Sequence, residues 1–223
     1  MIDRLPPRER NAVLAQCEPV EIAVGEILCE TGESFSHAYF PVTGNISLIN
    51  ALDGHRPFET ESIGSEGMLG ASLILGINRA LQRGIVQTPC MAMRIKAEIL
   101  QAAMQRYPAL SHILQSYLYV ALVELLQTIS CTRFHEVAKR LPRALLLAHD
   151  RSQTNCLPLT HLLLAEILGV QRGAVTIAAV KLQRKGIIRY SRGKITIVDR
   201  KGLEAKSCRC YQASIENYAS LLR

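Results

Sequence analysis

Apolar positions along this chain change their spacing near residue 100. Before it they come in short runs broken by glycine, as in β structure; after it they recur at helical intervals. Gly25-Glu26-Ile27-Leu28-Cys29-Glu30-Thr31-Gly32 predicts a short strand between glycines. Residues 38–42 and 45–49 predict two strands flanking a turn at Thr43-Gly44, and residues 58–63 alternate weakly. Gly64, Gly67, Gly70 and Gly76 then punctuate a turn-rich stretch. Residues 84–87 and 90–95 read as closing strands. Many short strands joined by glycine turns predict a barrel, roll or sandwich.

A long helix is expected over roughly 108–131. Leu114, Tyr117, Ala121 and Thr128 form one apolar stripe, and Leu118, Leu122, Leu125 and Ile129 a second. A helix apolar on two sides must be covered twice. One side can pack on the β domain and the other on a second copy of the chain, as a parallel coiled coil. A helix enclosed within one monomer is the competing reading. The following helix, expected over 136–149, contains Pro142, which should kink or restart it. That puts the interdomain hinge around residues 131–142.

Residues 160–198 carry the densest pattern. Leu163, Ile167 and Val170 fall on one face of a short helix, with Leu164 and Leu168 beside them. Thr160 is placed to cap its start, and Gly169 to close it in a left-handed conformation. A second helix repeats Val175, Ala178, Ala179 and Leu182 at i, i+3, i+4 and i+7, and Gly186 ends it. Its other side carries Gln171, Arg172 and Thr176, then Lys181, Arg184 and Lys185. A hairpin follows. Ile188, Tyr190, Ile195 and Ile197 alternate with Arg189, Arg192, Lys194 and Thr196 about a Ser191-Arg192-Gly193-Lys194 turn. Helix, turn, helix and basic wing, in that order, predict a winged helix-turn-helix, which places its second helix in the major groove of DNA. A purely structural helical hairpin with a solvated basic face is the bland alternative.

Charge points the same way. The chain of 223 residues has a net charge of +7. Residues 1–150 hold 13 basic and 15 acidic residues, whereas residues 151–223 hold 13 basic and 4 acidic. An excess confined to one end is a polyanion footprint. A basic membrane-binding surface would want an amphipathic helix with bulky apolar residues toward lipid, and none is evident. The absence of tryptophan argues against an aromatic single-strand binder. The charged N-terminal segment lacks an apolar signal region, and no run of about 18 uninterrupted apolar residues occurs. A cytoplasmic protein of two domains of about 100 residues each is expected, with no membrane partner.

The order β-roll, long helix, winged helix-turn-helix resembles the cyclic-AMP receptor protein/FNR family of bacterial transcription regulators. The resemblance runs nearly end to end. It is carried by Gly25 to Gly32, Tyr39-Phe40-Pro41 with Gly44, Gly64 to Gly70, the long helix, and above all Leu164-Ala165-Glu166-Ile167-Leu168-Gly169-Val170 with the helix and wing after it. It implies an α+β protein: a cyclic-nucleotide-binding-like β-roll sensor over 1–107, a dimerisation helix and hinge over 108–141, and a winged helix-turn-helix over 142–223. It further implies a homodimer on a near-palindromic duplex site, with RNA polymerase as a further partner near a promoter. The dimer helix would use Leu114, Tyr117, Leu118, Ala121, Leu125 and Thr128. Gln171, Arg172, Gly173, Thr176 and Ile177 would face base edges. Arg172 suits guanine, Gln171 adenine, and Ile177 with the Thr176 methyl a thymine methyl. Lys181, Lys185, Arg189, Arg192 and Lys194 would hold phosphates.

Departures from the family are informative. Its cyclic-AMP-binding members carry a glutamate after the first glycine of a Gly-Glu-Leu-Gly segment, where this chain has Gly67-Met68-Leu69-Gly70. Methionine cannot accept a ribose hydrogen bond as a carboxylate does. The Arg-Ser pair that meets the cyclic phosphate is replaced by Arg79-Ala80-Leu81-Gln82-Arg83-Gly84, leaving Arg79 or Arg83 as the only anion partners. The pocket of Gly67, Met68, Leu69, Gly70 and Arg83 is therefore read as degenerate, with cyclic AMP not bound in the usual way. Gly173 and Ile177 replace the Glu and Arg of the cyclic-AMP receptor itself, so the same operator does not follow.

Seven cysteines are present, and the N-terminal cluster of iron–sulfur members is not. Cys208-Arg209-Cys210 is the one close pair, able in principle to chelate or to cycle redox state, but CxC alone is a weak signal and exposed, unexceptional thiols are expected. Cys131 is expected as a small core residue, although near the hinge its oxidation could matter. No histidines pair at HxxxH spacing, and neither a Gly-Lys-Ser phosphate loop nor a Gly-x-Ser-x-Gly nucleophile motif occurs. The reading is a regulator that is not an enzyme and has no metal or cofactor, with an unnamed small-molecule effector left open. Two rivals remain: a ligand- or redox-responsive signalling module with a vestigial DNA domain, and an enzyme with a regulatory domain, which lacks a catalytic constellation.

Overall fold

The computed structural model describes residues 1–51, 57–152 and 154–221. The chain forms two compact units, built mainly from Met1–Ile49 and Glu61–Val123 and from Glu124–Asn217.

In the first unit, α1 (Pro7–Leu14) precedes five strands: β1 (Glu18–Ile22), β2 (Ile27–Cys29), β3 (His37–Asn50), β4 (Phe58–Ile63) and β5 (Arg83–Lys96). They pair in the order β1-β5-β3-β4, with β2 also on β5, and the β1, β2 and β3 pairings to β5 are all antiparallel. The turn expected at Thr43-Gly44 is instead a bulge inside one long strand. Register shifts on both sides of Thr43, and Gly44 takes φ 74°. A side chain there would run into the Pro89 carbonyl, so glycine serves close backbone approach rather than chain reversal. The two closing strands likewise merge into β5, across Pro89.

Next come α2 (Ala97–Arg106) and the long α3 (Pro108–Phe134), the latter opening on Pro108, whose fixed φ suits a first helical position. The boundary between the two units falls within α3. Its Leu110, Leu114, Tyr117, Val120 and Ala121 are buried in the core of the β unit. The residues expected at a dimer contact therefore divide. Leu114, Tyr117 and Ala121 are core residues, Leu118 and Thr128 are half-buried, and Leu125 is exposed. The bare apolar row is Tyr119, Leu122, Leu126 and Ile129, spaced 3-4-3 as an a/d seam is. By length and composition α3 could also cross a bilayer, a property that counting uninterrupted apolar runs does not reveal.

The second unit continues with α4 (Val137–Ser152), β6 (Cys156–Leu157), α5 (His161–Leu168), α6 (Arg172–Arg184), β7 (Ile188–Ser191), β8 (Lys194–Ile197), α7 (Arg200–Lys206) and α8 (Cys210–Leu221). Pro142 does not restart a helix: it sits buried inside α4, and the break lies at residues 135–136. Arg200 ties α7 back to α4 through Asp150 (2.7 Å), which also accepts from the Tyr211 hydroxyl (2.8 Å). Cys208 and Cys210 are buried, contrary to the exposure expected of them, because the start of α8 turns both inward against Cys131.

Candidate nucleic-acid interface

The Thr160 hydroxyl accepts from the Leu163 N–H (3.1 Å) and starts α5; Gly169, at φ 62° and ψ 42°, ends it. The chain then turns by 111° into α6, within the range of a helix-turn-helix corner. The stripe that fixes this corner is His161, Leu164, Ala165 and Leu168, one position round from the expected face. Leu163, Ile167 and Val170 are only partly buried. Arg140 of α4 donates to the Leu168 carbonyl (2.5 Å), satisfying an otherwise unpaired end of α5. In α6 the expected residues Val175, Ala178, Ala179 and Leu182 are the buried ones.

Behind α6, β8 pairs with β7 and with β6. Arg192 (φ 48°) and Gly193 (φ 77°) both have positive φ, as the two central residues of a type I′ turn require. Arg192 is the one non-glycine residue so placed among those described. Ile188, Ile195 and Ile197 point into the core, and the Tyr190 N–H donates to Gln183 of α6 (3.0 Å), locking wing to helix.

His161 joins all three parts, and nothing in the helical spacing points to it. Its ring stacks on Tyr190 at 4.1 Å, and its Nδ1 lies 3.0 Å from the Thr176 hydroxyl. That hydroxyl donates to the Arg172 carbonyl (3.1 Å), and its single hydrogen is then used. Nδ1 must therefore carry the proton and donate, which leaves Nε2 a buried acceptor without a partner among the described residues. Protonation would put an N–H at that dry position. Burial first, and the Arg172 charge second, hold the imidazole below its ordinary pKa.

Of the predicted base readers, Gln171, Arg172, Gly173 and Ile177 lie exposed along the first turns of α6, Ile177 at 62%. Thr176 differs: it is half-buried and its hydroxyl is committed internally, because it braces α5 and the Arg172 carbonyl. Lys181, Lys185, Arg189, Arg192 and Lys194 are all exposed, and none forms an ion pair among the described residues. Five uncompensated cations thus flank one exposed helix face, which suits a phosphate backbone.

The predicted pocket residues sit elsewhere, in the β unit. Met68 and Leu69 are fully buried, and Leu69 bridges Tyr39. The Tyr117 hydroxyl lies 3.3 Å from the Met68 carbonyl, and a side chain on Gly67 would strike the Tyr117 ring. Gly70 takes φ 98° at the start of a 3-10 turn, Ala71–Leu75. Arg83 donates to Glu30 (2.8 Å).

Residues 139–206 match the Crp-like helix-turn-helix domain. A search of curated proteins finds no match. Among solved structures, the chain is similar to FixK2 from Bradyrhizobium japonicum, with 15% identity, a TM-score of 0.71, and 86% of this chain and 98% of that one covered. It is similar to a CRP-family transcriptional regulator from Thermus thermophilus, with 16% identity, a TM-score of 0.69, and coverage of 92% and 98%. It is also similar to the c-di-GMP-responsive global regulator CLP of Xanthomonas campestris, with 19% identity, a TM-score of 0.67, and coverage of 86% and 99%. The C-terminal module is thus a Crp-like helix-turn-helix DNA-binding domain. The chain as a whole has the α+β fold of these solved Crp/Fnr-type structures.

Proposed function

We propose that this chain is a cytoplasmic homodimer that binds a specific, near-palindromic duplex site and regulates transcription there with RNA polymerase. The carrying observation is the exposed Gln171-Arg172-Gly173 and Ile177 face, flanked by five unpaired cations and held at 111° to its supporting helix. Two copies meeting along Tyr119, Leu122, Leu126 and Ile129 would cover the bare seam of α3 and present two such faces. The β unit acts as a sensor shell that does not take cyclic AMP in the usual way. Met68 puts a buried thioether where a carboxylate would be needed, and Arg83 already has Glu30 as partner.

The test is selection of bound duplexes from a random pool, followed by binding titrations over a range of salt. The expected result is a two-half-site sequence, spaced by about one helical turn (~34 Å), bound by two chains. Arg172→Ala should cost ~1–3 kcal/mol at one base position and relax preference there alone. Failure to retain any duplex, even in dilute buffer, overturns the proposal. Calorimetry that finds tight cyclic AMP binding overturns the sensor reading separately.

A further inference from the structure

Two distant pieces of the second unit meet at four metal-ligating side chains. Cys131 and His135 are four residues apart, and the His135 N–H bonds the Cys131 carbonyl (3.0 Å), so one helical turn sets both on one face. Cys208 and Cys210 straddle the entry to α8, where the Tyr211 N–H returns to the Cys208 carbonyl (3.1 Å). Cys131 Sγ lies 3.6 Å from Cys208 Sγ, and Cys210 Sγ lies 3.4 Å from His135 Nδ1. All four ligand atoms fall within 4.8 Å of one another. Cys131, Cys208 and Cys210 are 2%, 6% and 4% exposed and form a cluster apart from both apolar cores.

The distances discriminate between kinds of site. A sulfur pair at 3.6 Å is not a disulfide, whose bond is about 2.05 Å. A tetrahedral ion with sulfur at about 2.3 Å and nitrogen at about 2.0–2.1 Å sets its donor atoms roughly 3.5–3.8 Å apart. The Cys131–Cys208 sulfur pair at 3.6 Å falls in that range, and the Cys210–His135 pair at 3.4 Å lies within about 0.1 Å of it. An iron–sulfur cluster spreads its ligands over several irons and needs them farther apart. The chemistry agrees, since three thiolates and an imidazole in tetrahedral array favour zinc.

We infer that Cys131, His135, Cys208 and Cys210 form a closed Cys3His site for one Zn2+ ion. On binding, each of the three thiols gives a proton to solvent and forms a zinc–sulfur bond, and Nδ1 of neutral His135 supplies the fourth bond. Three thiolates and one Zn2+ leave a net charge of −1. Four protein ligands leave no open position, so the ion is structural. It clips the C-terminal end of α3 to the start of α8, across 77 residues of chain. The start of α8 thereby becomes a fixed part of the DNA-binding unit.

The full chain, purified under reducing conditions without chelator, tests this by metal analysis and native mass spectrometry. One zinc per chain is expected. Exchange with Co2+ should give the thiolate charge-transfer absorption and visible bands of a tetrahedral site. Cys208→Ser and His135→Ala should lose the ion, while Cys156→Ser, which alters an exposed thiol outside the cluster, keeps it. The cobalt spectrum of the unaltered chain stands even if a variant fails to fold. The inference is overturned if the reduced, unaltered chain, given excess Zn2+ or Co2+ and then desalted, carries far less than one ion. It is equally overturned if the cobalt spectrum lacks thiolate ligation, or if Cys156→Ser loses the ion as readily as Cys208→Ser.

Discussion

The two units treat their key cations and cavities in opposite ways. In the helix-turn-helix unit Lys181, Lys185, Arg189, Arg192 and Lys194 stand in solvent with no carboxylate paired to them among the described residues. In the β unit Arg83 is paired to Glu30, and Met68 and Leu69 fill the core. A surface kept for a polyanion must leave its charges unneutralised, because an internal ion pair would have to be broken on binding. A pocket kept for a nucleotide must leave polar groups facing a cavity. In the β unit Met68 and Leu69 are packed into the core, whereas the five cations of the helix-turn-helix unit stay at the surface.

This contrast can be broken at both ends. Replacing all five exposed cations with alanine should abolish duplex binding at moderate salt while leaving the melting temperature nearly unchanged. The slope of log affinity against log salt should flatten by roughly 0.9 for each phosphate that is no longer neutralised. An unchanged slope would remove these residues from the interface. Met68→Ala should behave in the reverse way. It opens a cavity in the β core and should cost about 2–5 kcal/mol in denaturant melts of the full chain. A loss near zero would mean that Met68 lines open space.

A smaller effect separates His161 from the surface around it. Its folded pKa lies below the ordinary value of 6.5. Above pH 6.5 both folded and unfolded forms are neutral and stability is full. As pH falls below 6.5 the unfolded chain gains the proton first, so stability is lost down to the folded pKa. His161→Phe keeps the stack on Tyr190 and removes the titration. Its melting temperature should fall less than that of the unaltered chain between about pH 7.5 and about pH 5.5. Identical pH dependence in the two would exclude His161 as the source.

The smallest change sharpens the contrast most. Nothing lies within 4 Å of a side chain built on Gly173, and its φ is an ordinary one. The free fold therefore has no need of glycine there. Gly173→Ala should raise stability by about 0.5–1 kcal/mol yet weaken duplex binding, if close backbone approach to DNA is what the glycine serves. Tighter binding by the variant would refute that role.

Much of the DNA-binding unit could be read directly from the chain. Thr160, Gly169, the Val175–Leu182 spacing and the wing alternation are local signals, and each acts within a turn or two of itself. The β unit was harder. β1 gave no usable alternation, and the bulge at Gly44 looked like a turn, because a positive-φ glycine serves both and only the partner strand β5 decides between them. The exposed apolar row of α3 lies one residue on from the row expected at a dimer contact, for a related reason. Both stripes of α3 are apolar, and burial by the β core, invisible in helical spacing, selects which remains bare.

The amino-acid order by itself determined the helix-turn-helix corner and the basic wing, since these rest on residue type and short-range geometry. Tertiary structure alone decided that His161 braces helix and wing, that Arg83 is already paired, and that Cys131 and His135 meet Cys208 and Cys210. Such contacts join residues far apart in the chain. Their chemistry is set by which surfaces pack together, and no periodicity along the sequence encodes that.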